Sequence, residues 1–469
     1  MSEIISLHLG NTGIKTAESL WELYAKSYEH PGEYCDQKNG INKLFRTFGS
    51  SPRGLLLDPT IPFDCSTSKA RAILVDTEAD PIDNIYRSSR SHFFDTNNIF
   101  TSGECSGSVY ARVYHSLAPN LAEKIVESIR KEVERANSLE GFNLTHSVSG
   151  GTGAALWTYI SEHLEENYKK KERVSFDILS SDKFASTGVE PLNQVLGMAK
   201  LAELSRSSCY FEMAQISKFV SQILKADPGS QSRKNHLQTI NQVIAYHSYK
   251  IMSGIAQNGC LLDSLSEITK STTIFKGLPF SSSSLSLEAV TSDDEPTEWE
   301  NITIHKTNID TLNKHLNSTR INPLTTVDET SKHYQMSTLY QGLNFAPKDV
   351  GQDLVMNLKR ILRFTECVPS RLRFGIDYGL PPCLKNSRLR IPDQNVMIFH
   401  GLSNFYKIID RIILDFDKVY KQKLFLHHYD VEGMDLDEFD LAVEELRQCS
   451  NNYKDISADT EEEEGEEEE

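Results

Sequence analysis

The sequence has no apolar run close to the ~20 residues that cross a bilayer, so no membrane association is expected. It has no excess of basic charge either: 49 Lys and Arg against 66 Asp and Glu leave a formal charge of −17. Phosphate-neutralising recognition needs a basic face, so no DNA partner is expected. The cysteines (Cys35, Cys65, Cys105, Cys209, Cys260, Cys367, Cys383, Cys449) form no C-x-x-C pair, which removes zinc and dithiol motifs. They read as free thiols in a reducing compartment, most of them small buried hydrophobes. The opening MSEIISLHLG lacks a basic region followed by a long apolar stretch, so no secretory leader is expected. There is no 20–50-residue repeat, no G-x-G-x-x-G, and no glycine-rich loop followed by Lys-Ser/Thr. A solenoid, a nicotinamide oxidoreductase and a Walker A nucleotide site are thereby disfavoured.

What is present is an ordinary globular composition, with 39% hydrophobic and 25% charged residues over 469 positions. At ~150 residues per unit, the chain has room for roughly three domains. Part of the acidic excess is terminal: Glu461 to Glu469 are eight glutamates around Gly465. Such a block repels itself and buries nothing, so it is expected to be extended, disordered and attractive to basic partners. A second polar stretch, Ser281 to Glu300, opens on four serines and continues into TSDDEPTEWE. It is expected to be a long exposed loop.

Strand and helix signals alternate through the first half. Ile4 to Leu9 and Ala72 to Asp76 are short apolar runs, and Leu121, Ile125, Ile129 and Val133 share one helical face. Phe142 to Val148 reads as a strand, Ala154 to Leu164 as a helix, and Phe176 to Leu179 as another strand. Alternation of this kind predicts a parallel sheet with helices on both faces. Ligands then sit beyond the carboxyl ends of the strands. In the C-terminal third, Ile408, Ile409, Ile412, Ile413 and Phe416 mark one amphipathic helix, and Phe439, Val443 and Leu446 another.

The motif that carries chemistry is Ser149-Gly150-Gly151-Thr152-Gly153-Ala154-Ala155, between a strand and a helix. Its glycines let backbone approach an anion, and the helix start offers free N–H groups, the makings of a phosphate cradle. Gly10-Asn11-Thr12-Gly13 is expected to form a second glycine loop after the first strand. Asp76 and Glu78 would offer hard oxygens to Mg²⁺, and Glu190 could accept from a ribose hydroxyl.

SGGTGAA closely resembles the GGGTGSG signature of tubulins and their bacterial cell-division relatives. Further blocks agree: EIISLHLG followed by Trp21-Glu22-Leu23-Tyr24, Leu144 to Ser147 leading into the loop, Ala346-Pro347-Lys348-Asp349-Val350, Phe374 to Tyr378, His428-Tyr429, Glu432-Gly433-Met434 and Asp437-Glu438-Phe439. The resemblance spans the chain and favours the alpha branch, on Trp21 to Tyr24, on the Pro381 to Gln394 loop and on Glu267. It implies an α/β fold in four parts. These are a parallel-sheet GTP-binding domain of tubulin type (1–218), an α+β intermediate domain (219–396), a C-terminal helical hairpin (397–456) and a disordered acidic tail (457–469).

The resemblance also implies the site residues. GTP would meet Gly10, Asn11, Thr12, Glu78, Ser147, Gly150, Gly151, Thr152, Gly153, Ser186, Glu190, Gln215 and Asn241. Asp76 and Glu78 would serve Mg²⁺. Glu267 would be the catalytic acid offered to the nucleotide of the next subunit. Implied partners are beta-tubulin, lateral tubulin neighbours, and basic microtubule-associated proteins or motors on the tail, in cytoplasmic microtubules. The sequence departs from the family at several of these places. Asn11 replaces glutamine, Gln215 an asparagine, and Leu237 the base-stacking tyrosine. Cys105 and Ser108 replace an acid and an asparagine in a third phosphate loop, and Leu262 and Ser264 replace an asparagine and an aspartate in the loop facing the neighbour. The expected lateral loop carries Asp293, Asp294, Glu295, Glu298 and Glu300 beside Trp299, and the chain lacks a terminal tyrosine.

Overall fold

A computed structural model describes residues 3–29, 43–47, 68–180, 187–224, 233–257, 259, 261–273, 275, 277–290, 332–342, 356, 363–365, 372–377, 381–384 and 387–458. Its strands are β1 (Glu3–Leu9), β2 (Phe45–Thr47), β3 (Ser68–Ala70), β4 (Ala72–Asp76), β5 (Ile99–Thr101), β6 (Leu139–Ser147), β7 (Glu172–Leu179) and β8 (Ser207–Glu212), followed by β9 (Phe280–Leu285), β10 (Glu288–Ala289), β11 (Lys332–Gln341), β12 (Arg363–Phe364), β13 (Leu372–Asp377), β14 (Leu389–Arg390) and β15 (Asn395–Leu402). The helices are α1 (Gly10–Glu29), α2 (Ala79–Arg87), α3 (Ala118–Arg135), α4 (Gly151–Asn167), α5 (Glu190–Leu204) and α6 (Met213–Leu224), then α7 (Arg233–Gln257), α8 (Leu265–Thr272), α9 (Phe405–Tyr420), α10 (His427–Asp430) and α11 (Asp437–Ser457).

Six strands run parallel in the order β5-β4-β1-β6-β7-β8. The sheet continues through β9, which is parallel to β8 and antiparallel to β15. Next comes β11, antiparallel to β15, with β12 and β13 pairing parallel to β11. Every residue of β1 and β4 is buried, as expected where helices cover both faces of a parallel sheet. The pleat sorts their side chains into two layers. Ile5, Leu7 and Leu9 join a core with α3, α4, α5, α9 and α11. Ile4 joins the opposite core with α1, α6, α7 and α8. The two C-terminal helices bury the apolar stripes read from sequence: Ile408, Ile409, Ile412, Ile413 and Phe416 on α9, and Phe439, Val443 and Leu446 on α11.

Two sequence expectations fail. Ser281 to Ser284 do not form an exposed loop but lie in β9, at most 3% exposed. Their hydroxyls find partners on the neighbouring strand and on α7: Ser281 Oγ donates to Ser208 O at 2.9 Å, and Ser283 Oγ lies 3.0 Å from His247 Nδ1. Serine composition signals a loop only where no neighbouring strand supplies acceptors. Gly10 to Gly13 are likewise no loop, because α1 begins at Gly10 itself. Leu285 ends β9 and Glu288–Ala289 form β10, while the rest of the predicted polar stretch, 291–300, and the glutamate tail lie outside the described residues.

Candidate functional site: a phosphate-side rim at the carboxyl ends of the strands

The carboxyl ends of β1, β4, β5 and β6 bring four segments together. The helix α4 begins at Gly151 with Gly150 as its N-cap in extended conformation. Two close backbone approaches at glycines allow this convergence. A Cβ on Gly10, whose φ is +71°, would come within 3.1 Å of Gly153 backbone. One on Gly151 would stand 2.6 Å from the Ser108 carbonyl carbon. The starts of α1 and α4 thus touch backbone to backbone, and the 102–108 loop lies directly against the α4 start. Gly150 differs, since a Cβ there would meet nothing within 4 Å. That open side is where an anion can reach the first N–H groups of α4.

Hydrogen bonds fix the rim. The hydroxyls of Thr77 and Thr152 are 2.9 Å apart. Thr101 and Ser102 both donate to Thr77 O, at 3.2 and 2.9 Å. Gly103, Gly107 and Ser108 all have positive φ. Ser149 Oγ accepts from Ser180 N at 2.9 Å and from Gln194 Nε2 at 3.0 Å.

Sequence reasoning missed Asn193, which joins the two phosphate-side loops. Its Nδ2 donates to Ser108 O at 2.7 Å and to Ser149 O at 3.3 Å, and its Oδ1 accepts from Tyr110 N at 3.1 Å and Tyr429 OH at 2.6 Å. The side chain is fully buried. The one available signal was an asparagine three residues into the helix that starts at Glu190.

The acidic pair is asymmetric. Asp76 is 2% exposed, its Oδ2 makes no hydrogen bond, and burial pushes its carboxyl up to about 7 against the pull of the Glu78 and Thr77 amides. Glu78 is exposed and accepts from the Cys105 thiol at 3.4 Å. An orphaned buried carboxylate oxygen with a second carboxylate two residues on suits a hard divalent cation whose remaining ligands come from phosphate and water. Among the described residues no cluster of three or more His, Cys, Asp or Glu could hold a metal unaided. The residues therefore fit Mg²⁺ as a companion of a bound phosphate.

The remaining sequence-predicted residues are placed as follows. Asn11 is exposed and Thr12 half-buried on the first turn of α1, and Ser147 ends β6. Glu190 opens α5, 7% exposed. Gln215 on α6 and Asn241 on α7 are half-buried, as is Leu237, which packs on the second core. Ser186 lies outside the described residues.

Glu267 is elsewhere. It sits in the first turn of α8, whose Leu265 N–H is held by Glu140 of β6. Glu140 is near the amino end of that strand, whereas the glycine-rich loop follows its carboxyl end. Nine residues at about 3.3 Å each separate the two edges. The loop before α8 also turns inward: Leu262 has φ +56° and a fully buried side chain. It faces the core rather than a neighbour.

Residues 3–221 match the family model described as Tubulin/FtsZ family, GTPase domain. The chain is similar along its length to the Tubulin alpha-2B chain of Physarum polycephalum, 25% identical over 476 residues with all of both chains covered. It is 25% identical over 474 residues to the Tubulin alpha-3 chain of Zea mays, again covering all of both. It is 27% identical over 480 residues to the Tubulin alpha chain of Dictyostelium discoideum, covering 99% of each. Residues 3–221 thus resemble the GTPase domain of the Tubulin/FtsZ family, and the chain is similar along its length to alpha-tubulin chains.

Proposed function

We propose that this tubulin-family chain is an alpha-type subunit that retains GTP, pairs with beta-tubulin, and completes the GTPase site of the next subunit in a microtubule. The reading rests on one observation: Glu267 stands, partly exposed, at the sheet edge opposite the chain's own phosphate-side rim. From there it cannot reach a nucleotide held at Gly150 to Gly153. A second subunit stacked on that edge can bring its own nucleotide to Glu267, which would orient or deprotonate the attacking water.

In this reading the amides at the start of α4 and the 102–108 loop hold phosphate oxygens. Gly10, Asn11 and Thr12 border the same space. Asp76 and Glu78 would hold Mg²⁺, which when bound neutralises phosphate charge. Glu190 and Ser186 take the sugar, and Gln215 and Asn241 the base. Leu237 covers a base face without the aromatic contribution of roughly 1 kcal/mol. The division at residues 218, 396 and 456 is carried into this proposal, with the glutamate tail as an electrostatic lure for basic microtubule-associated proteins or motors and the 291–300 segment facing lateral neighbours. The place of action is the cytoplasmic microtubule.

The test is co-purification with beta-tubulin, denaturation, and identification of the released nucleotide. Two guanine nucleotides per heterodimer are expected, a GTP retained by this chain and the nucleotide of its partner, and a heterodimer releasing only one or none would sink the proposal. That second result would instead identify a nucleotide-poor structural subunit. This alternative is favoured by the Cys105 thiol engaging Glu78 on the rim. Glu267→Ala should leave dimer formation intact and slow GTP turnover after assembly.

A further inference from the structure

Both carboxylate oxygens of Glu267 are held by this chain. Oε2 accepts from Asp263 N at 3.0 Å, and Oε1 lies 3.5 Å from Arg373 Nη1. The backbone beneath is fixed too, because Ser264 Oγ caps α8 by accepting from Glu267 N at 3.2 Å. Arg373 comes from β13, across a gap of more than 100 residues, and its side chain is 38% exposed beside the 28% exposed side chain of Glu267. The two form a charged pair at the surface of the edge opposite the phosphate-side rim.

The strand that delivers Arg373 is itself anchored. Residue 377, four positions on and so on the same face of β13, accepts from Gln341 Nε2 at 3.1 Å through its carboxylate, and the same oxygen lies 3.7 Å from the fully buried Lys250 Nζ. Along its length β13 pairs with β11 from Met336–Leu372 to Gln341–Asp377. Meanwhile the first amide of α8 is bound by the half-buried carboxylate of Glu140, so it is not left to attract an incoming phosphate.

We propose that Arg373 is a positioning residue for Glu267: its guanidinium fixes the carboxylate in the orientation presented to the neighbouring subunit's nucleotide. This rests on the proposed trans-acting role of Glu267. A glutamate side chain has three rotatable bonds and, at a surface, several rotamers. Clamping one oxygen to a backbone amide and the other to an arginine on a separate, anchored strand selects one of them before the neighbour arrives. Pre-set geometry of that kind governs rate steeply, since misplacement by about 1 Å costs as much as a hundredfold.

The experiment uses the full chain assembled with beta-tubulin, with turnover of GTP measured per polymerised subunit for R373A, R373K, E267A and the R373A/E267A double variant. Dimer formation and thermal unfolding serve as controls. Expected are a tenfold to hundredfold slower turnover in R373A, partial recovery in R373K, and no further loss when R373A is added to E267A. Wild-type turnover in R373A, while E267A is slow, would overturn the positioning role and leave the role of Glu267 standing. Additive losses in the double variant would overturn it as well, because Arg373 would then act independently. Wild-type turnover in E267A would remove the underlying reading and this inference together.

Discussion

Asn193 and Ser108 are joined by a 2.7 Å hydrogen bond from the side-chain amide to the loop carbonyl, and the same amide reaches Ser149 O at 3.3 Å. Two loops that would face phosphate are thereby held to one buried side chain. Asn193→Ala would leave buried carbonyls and the Tyr110 amide without that partner. Each such group costs about 1–3 kcal/mol. Lower stability and markedly weaker nucleotide retention are expected, read from urea midpoints and nucleotide content. Full retention in the variant would show that the loops hold their geometry without it.

Gly150 and Gly151 are neighbours with opposite surroundings. A methyl on Gly151 would stand 2.6 Å from Ser108 backbone, whereas one on Gly150 meets nothing within 4 Å. Gly151→Ala should therefore lower both stability and nucleotide retention. Gly150→Ala should unfold at the wild-type urea concentration yet lose nucleotide affinity by an order of magnitude, because its methyl enters the space offered to the anion. Equal affinity in Gly150→Ala and wild type would place the anion elsewhere.

Lys250 is fully buried, 2.5 Å from Gln341 Oε1 and 3.7 Å from Asp377 Oδ2. Removing the carboxylate opposite a buried ammonium costs about 3–5 kcal/mol, while replacing both charges by neutral groups of similar volume is often close to neutral. Asp377→Ala should be strongly destabilised. The combination Lys250→Met with Asp377→Asn should recover most of the loss, as measured by denaturant unfolding. A double variant no more stable than Asp377→Ala would contradict the pairing.

Burial lowers His8 and His247 to about 3 and His333 to about 4, and holds His400 well below the ordinary value of 6.5. The folded state keeps these rings neutral while the unfolded chain takes up protons near 6.5. Stability is therefore complete above that pH and falls as pH drops toward 4. The slope reaches about 1.4 kcal/mol per pH unit for each histidine. Urea midpoints at pH 7.5 and 5.5 measure it. In His8→Gln, a side-chain oxygen can still accept from Trp21 Nε1, which now donates to His8 Nε2 at 3.1 Å. That variant should lose one proton's worth of slope, and an unchanged slope would refute the assignment.

Much of the frame was legible in the chain. The strands at Ile4, Ala72, Phe142 and Phe176 could be read because a doubly covered strand must be apolar on both sides. The stripes of α9 and α11 could be read because a helix with one buried face repeats every 3.6 residues. Ser281 to Ser284 misled because four hydroxyls look like a loop until adjacent strands and α7 supply their partners. Gly10 misled in a smaller way: glycine permits a turn, but here its use is to let α1 start against Gly153.

By itself the sequence determined a parallel sheet, a glycine-rich loop at its carboxyl edge and two covering C-terminal helices. These depend on residue order over a few turns or one strand, where periodicity and glycine content are sufficient. Only the tertiary structure decided that Asn193 rivets the loops, that Glu140 occupies the α8 start, that Leu262 turns inward and that Arg373 faces Glu267. Each of those contacts joins groups brought together by packing, and a hydrogen bond or ion pair depends on distance in space, of which separation along the chain carries no trace.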